Sequence, residues 1–69
     1  MDILERAKIR LTSWIEHNEH HQEEYELFAE QLENEGKKES ALHIREMATL
    51  TAKSNDALRH ALESLEKEE

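Results

Sequence analysis

Apolar residues recur along this chain at alternating steps of three and four. Leu4, Ala7, Leu11, Trp14, Asn18, His21, Tyr25, Phe28 and Leu32 make one such row, and Ala41, Ile44, Ala48, Thr51, Asn55, Leu58, Leu62 and Leu65 make a second. Such spacing tracks the helical period closely, so each row is a stripe along an α-helix that faces a partner helix. A strand reading fails, because valine is absent and Glu, Lys, Ala, Leu and Arg dominate, all good helix formers. The single Gly36 divides the rows inside Asn34-Glu35-Gly36-Lys37-Lys38. Glycine just past a helix end supplies the left-handed turn that other residues resist. At the start, Asp2 is placed to accept from the Glu5 backbone N–H, a variant of the capping box. The sequence therefore predicts an all-α antiparallel two-helix hairpin, about 2–35 and 38–67, as one domain over residues 1–69.

A tight reversal at Gly36 makes facing residues have numbers with a nearly constant sum. Leu32/Ala41, Tyr25/Ala48, Asn18/Asn55 and Leu11/Leu62 share one value, and Phe28/Ile44, His21/Thr51 and Trp14/Leu58 share the value one lower. The polar interruptions of the two rows fall at the same heights. Asn18, His21, Thr51 and Asn55 are thus expected to form a buried polar layer, each finding its partner across the seam, with the Asn pair fixing register.

Composition narrows the functional classes. Nine Lys and Arg against seventeen Asp and Glu leave a net charge of −8, which disfavours phosphate-rich partners, so nucleic acid is not expected. No apolar run approaches the ~18 residues of a membrane span, and the start lacks a signal-peptide pattern, so a cytoplasmic location without membrane contact is expected. Without cysteine, neither disulfides nor thiolate metal sites are available. Chains shorter than roughly 70–80 residues seldom bury enough apolar surface to stand alone. A metal or self-association remains as the means of stabilisation.

The second helix carries a further row of small or apolar residues, His43, Met47, Leu50, Ser54, Ala57, Ala61 and Ser64, beside the intramolecular seam. A helix with two adjacent stripes packs against more than one neighbour, and closed two-fold dimers are the commonest soluble assembly. A homodimeric four-helix bundle is expected, with His43, Met47, Leu50, Ser54, Ala57 and Ala61 dominating the contact.

Three of five histidines fall within Trp14-Ile15-Glu16-His17-Asn18-Glu19-His20-His21-Gln22-Glu23-Glu24. At ~100° per residue, His17, His20, His21 and Glu24 project within one arc of a helix, a donor set that suits Zn, Ni, Cu or Fe. The competing structural reading sets His21 against Thr51, His17 against Asp56 and His20 in solvent. His43, near Glu30, and His60, opposite Ser13, are expected to be salt-bridged or interfacial. No His-Glu-x-x-His motif occurs, and no Glu stands three before a His. One glycine rules out a phosphate loop, and no nucleophile has a convergent base, so no enzymatic activity is expected.

Trp14-Ile15-Glu16-His17-Asn18-Glu19-His20, Gly36 and the Asn55 region together resemble a helical-hairpin domain of uncharacterised proteins from archaea and anaerobic bacteria. That domain is sometimes attached to a small nickel-binding β domain of the CooT type. The likeness spans about 60 residues and implies a role for nickel or a related metal, carried by His17 and His20, although these 69 residues include no counterpart of the β domain. Two expectations stand together: a non-enzymatic interaction or assembly module, homodimeric and open to another protein partner; or a protein that binds a divalent metal, Ni or Zn, through the His17/His20/His21 cluster.

Overall fold

The computed structural model describes residues 2–68. Two helices account for nearly all of them, α1 over Ile3–Asn34 and α2 over Lys38–Lys67, folded back on one another as an antiparallel hairpin. The boundaries agree with the sequence pattern to within one residue. Asp2 caps α1, its carboxylate accepting from Glu5 N at 2.9 Å. That bond satisfies one of the backbone donors a helix leaves unpaired at its start.

At the other end of α1, Lys37 N donates to Leu32 O and Gly36 N to Glu33 O, each at 2.9 Å, with Gly36 at φ +80°. This is the paired-bond helix ending that needs a left-handed residue. A Cβ on Gly36 would meet nothing within 4 Å, so the demand for glycine is torsional rather than steric. Lys37 follows at the start of α2 with no side-chain cap, and Glu39 supplies the negative charge that a helix N-terminus favours.

The seam on α2 is the expected one: Ala41, Ala48 and Asn55 are buried, and Ile44, Thr51, Leu58, Leu62 and Leu65 are half-buried. On α1 the seam is shifted at every second step. Leu11, Asn18, Tyr25 and Leu32 hold their places, but Ile15 and Ala29 are buried where Trp14 and Phe28 were expected, and Trp14 and Phe28 are 49% and 50% exposed. Gln22 shares the flank position with His21, both half-buried. Volume decides the choice. Alanines occupy Ala29, Ala41 and Ala48, and Asn55 reaches across to the backbone carbonyl of Ile15, so the helices approach too closely to admit an indole or a phenyl ring.

The resulting core is small. Its fully buried members are chiefly alanines, and the largest fully buried side chain is Asn55. A compact monomer of 8.2 kDa exposes about 4,500 Å², whereas this hairpin exposes 5420 Å². Its radius of gyration is 15.8 Å, where about 11 Å is usual for this length. The molecule is a narrow slab with extents of 51 × 18 × 10 Å, open along both broad faces.

Candidate functional site

The two broad faces differ in chemistry. One is polar. Arg45 reaches across to Glu33 at 2.8 Å and Arg59 to Glu19 at 3.1 Å, and Arg59 also lies 3.6 Å from Asp56 on its own helix. Six glutamates, at 16, 19, 23, 26, 30 and 33, repeat along α1 at alternating steps of three and four. Helical spacing places them as one stripe on the ion-paired flank and the adjoining back of the helix. Each cross-helix pair is about half exposed, so each contributes at most about 1 kcal/mol.

The opposite face is apolar. At the open end of the hairpin Ile3, Ala7, Leu11, Ala61 and Leu65 line one cleft together with Arg6, Arg10 and Glu68. That cleft fixes which flanks of the two helices look the same way. Trp14, His21 and Phe28 lie whole heptads from Ala7, and Met47 and Ser54 lie whole heptads from Ala61, so all belong to this face. Trp14, Phe28, Met47 and Leu50 are all exposed there, with Leu50 at its outer margin. Displacement of the aromatic rings from the seam thus enriches this face, and α1 contributes more to it than the sequence pattern suggests.

The polar layer is smaller than expected. Asn18 Nδ2 donates to Asn55 Oδ1 at 3.0 Å and Asn55 Nδ2 donates to Ile15 O at 3.1 Å, and Asn55 is 1% exposed. No buried side-chain nitrogen or oxygen among the described residues lacks a partner. His21 and Thr51 do not join this layer. Thr51 Oγ1 donates to Met47 O within its own helix, and His21 turns toward the apolar face, because the seam passes on the other side of it.

The histidines gather as a pair with satellites. His17 Nε2 and His21 Nε2 are 2.9 Å apart, with the rings edge to face at 86°. His21 Nδ1 lies 2.9 Å from Glu24 Oε1, and the Tyr25 ring stacks on His21 at 5.9 Å. His20 stands apart, 6.1 Å from His21 between ring centres and 3.7 Å from Glu24, with its side chain 71% exposed. Among the described residues no three His, Cys, Asp or Glu side chains are arranged to hold one ion, so the set His17, His20, His21 and Glu24 does not converge as a unit. Asp56 pairs with Arg59 and His43 lies 3.4 Å from Glu46, so neither meets the α1 partner expected for it.

The fold and its faces define a two-helix hairpin with one ionic and one apolar side. Residues 7–65 match the family described as Domain of unknown function (DUF8180), and the chain belongs to that family. No curated protein and no solved structure is matched. Among the described residues no helix is long and apolar enough to cross a membrane.

The adjacent pairs Trp14-Ile15 and Phe28-Ala29 left either member open to the seam, and the large one was expected there. The signal that resolves the choice is the run of alanines at 41 and 48 on the facing helix.

Proposed function

We propose that this hairpin is a non-enzymatic assembly module that pairs with a second copy of itself through the apolar face, forming a four-helix bundle. The observation that carries this reading is that the largest fully buried side chain is an asparagine, while Trp14, Phe28, Met47 and Leu50 stand in solvent. Buried apolar area drives folding at roughly 25 cal/mol per Å², and a seam whose most buried members are alanines, with its larger side chains half-buried, supplies little of it. Small chains in this position draw stability from a partner.

Area and charge favour a second copy as that partner. The broad face measures 51 by 18 Å, or roughly 900 Å², against about 800 Å² per partner in a standard interface. The excess of exposed surface over a compact monomer is of the same size. Although each chain carries a charge of −8, the glutamate stripe of α1 lies away from Trp14 and Phe28, so close approach through the apolar face does not set it against itself.

Light scattering on the intact chain tests this. The expected mass is twice 8.2 kDa, falling toward 8.2 kDa in Ala61→Glu and Leu50→Glu, both exposed positions on the apolar side, with far-ultraviolet circular dichroism checking that the hairpin itself stays helical. A wild type of 8.2 kDa at micromolar concentration sinks the proposal.

A further inference from the structure

Two imidazoles meet beside the exposed Trp14 and Phe28 rows of α1, with the Glu24 carboxylate against one of them. His17 and His21 direct their Nε2 atoms at one another across 2.9 Å, with room for a single proton between them. We propose that these two nitrogens chelate a late first-row divalent cation of the Zn²⁺, Ni²⁺ or Cu²⁺ class, and that the same pair on a second copy of the chain completes a four-imidazole site. The shared site rests on the self-pairing proposed above; the chelate itself rests on α1 alone.

Four observations carry it. First, two nitrogens each ~2.05 Å from an ion lie ~2.9 Å apart at the ~90° angle of a square-planar Cu²⁺ or Ni²⁺ site and ~3.3 Å apart at the tetrahedral angle of Zn²⁺, so the 2.9 Å found here meets the first directly and the second after the rings part by ~0.4 Å. Second, the carboxylate of Glu24 is set to accept from Nδ1–H of His21, and in that tautomer the Nε2 lone pair is free to bind. This outer carboxylate is the usual support for a metal-binding imidazole, fixing the ring and raising its basicity. Third, the Tyr25 ring lies nearly parallel to His21 in an offset stack, 8° between planes and 5.9 Å between centres, which favours this ring orientation. Fourth, His17 and His21 flank the midpoint of α1, so a two-fold axis through the centre of the apolar face brings both pairs to the same height.

Neutral His17 carries one ring proton. Binding moves that proton from Nε2 to Nδ1 and replaces the N–H···N bridge by an N–metal–N bridge, with no net change in protonation. His20 is too distant to join, and Glu24 lies on the far side of His21, so one chain supplies two ligands rather than three. The remaining positions therefore fall to the partner chain.

Calorimetric titration of the intact chain with Zn²⁺, run beside light scattering, tests the inference. The expected result is one ion per two chains, binding abolished in His17→Ala and in His21→Ala, weakened ~10–100-fold in Glu24→Gln, and unchanged in His60→Ala. A monomer that Zn²⁺ converts to a dimer overturns self-pairing of the metal-free chain and supports the shared site. A chain that is dimeric yet takes up no Zn²⁺, or takes up one ion per chain, overturns the shared site and leaves the assembly reading intact. A chain that is monomeric with and without Zn²⁺ overturns both.

Discussion

Removing the amide of Asn55 should weaken this protein by a large share of its stability. In Asn55→Ala two hydrogen bonds vanish, one from Asn18 Nδ2 and one to Ile15 O. Each is worth about 1 kcal/mol net, and leaving the half-buried Asn18 amide without its acceptor adds about 1 kcal/mol more. The expected loss is about 2–3 kcal/mol, out of the roughly 3–10 kcal/mol that a chain of this length holds. Urea unfolding followed by far-ultraviolet circular dichroism reads the loss directly, with all chains at one concentration because self-association shifts the midpoint. A second variant separates hydrogen bonding from volume. Asn55→Asp is nearly isosteric but turns a carboxylate oxygen toward the Ile15 carbonyl, so at neutral pH it should cost at least as much as alanine. Burial favours the protonated form of this new acid, which donates to Ile15 O, so the folded state binds the proton more tightly than the unfolded chain. Its deficit should therefore shrink as the pH falls. A loss below about 0.5 kcal/mol in Asn55→Ala, or an Asp variant whose deficit grows in acid, would refute the reasoning.

Gly36→Ala should cost about 1 kcal/mol in the same unfolding assay, because φ is +80° while the space around the position is open; a loss above ~3 kcal/mol would mean a steric role that the geometry does not contain. Arg59→Ala removes a half-exposed pair with Glu19 and should cost less than ~1 kcal/mol at low salt, the difference fading at high salt; a loss that survives high salt would show that its hydrocarbon stem, not its charge, matters. Trp14→Ala should leave the hairpin's helical content intact while lowering the mass seen by light scattering, since the indole lies outside the seam; a collapse of helicity together with an unchanged mass would count against the apolar face.

The architecture was legible in the sequence because its determinants are local or arithmetic. Asp2, Gly36 and the three-four spacing set the two helices, and the matching heights of Asn18 and Asn55 set their register, which the 3.0 Å amide bond realises. Half of the α1 seam was not legible in the same way. Hydrophobicity alone does not choose between Phe28 and Ala29, and the larger residue has more to gain from burial. The choice belongs to the facing helix, where alanines draw the backbones together. The same displacement explains His21, which sits on the flank beside the seam and so meets His17 and Glu24 instead of Thr51. The convergence of Nε2 atoms within the cluster follows from rotamers, which residue spacing does not encode.

A seam of small side chains raises the question of what holds it in one alignment. Ala41 and Ala48 offer little shape that a slide of one heptad would violate, and the leucines at 58, 62 and 65 repeat closely enough to accept new neighbours. An amide pair is different, since it is satisfied in one alignment and leaves buried donors orphaned in the others. Asn18 and Asn55 therefore select the register, while the apolar surface available for stability lies on the outer face. The two roles separate in the double variant Asn18→Leu/Asn55→Leu. Replacing a matched polar pair by packed leucines is often neutral or stabilising, so its midpoint in urea should not fall. Its nitrogen–proton correlation spectrum, however, should show more than one peak for residues beside the seam, as shifted alignments become populated. A single sharp set of peaks at undiminished stability would mean that the turn at Gly36 alone dictates the alignment and that the amides are dispensable for it.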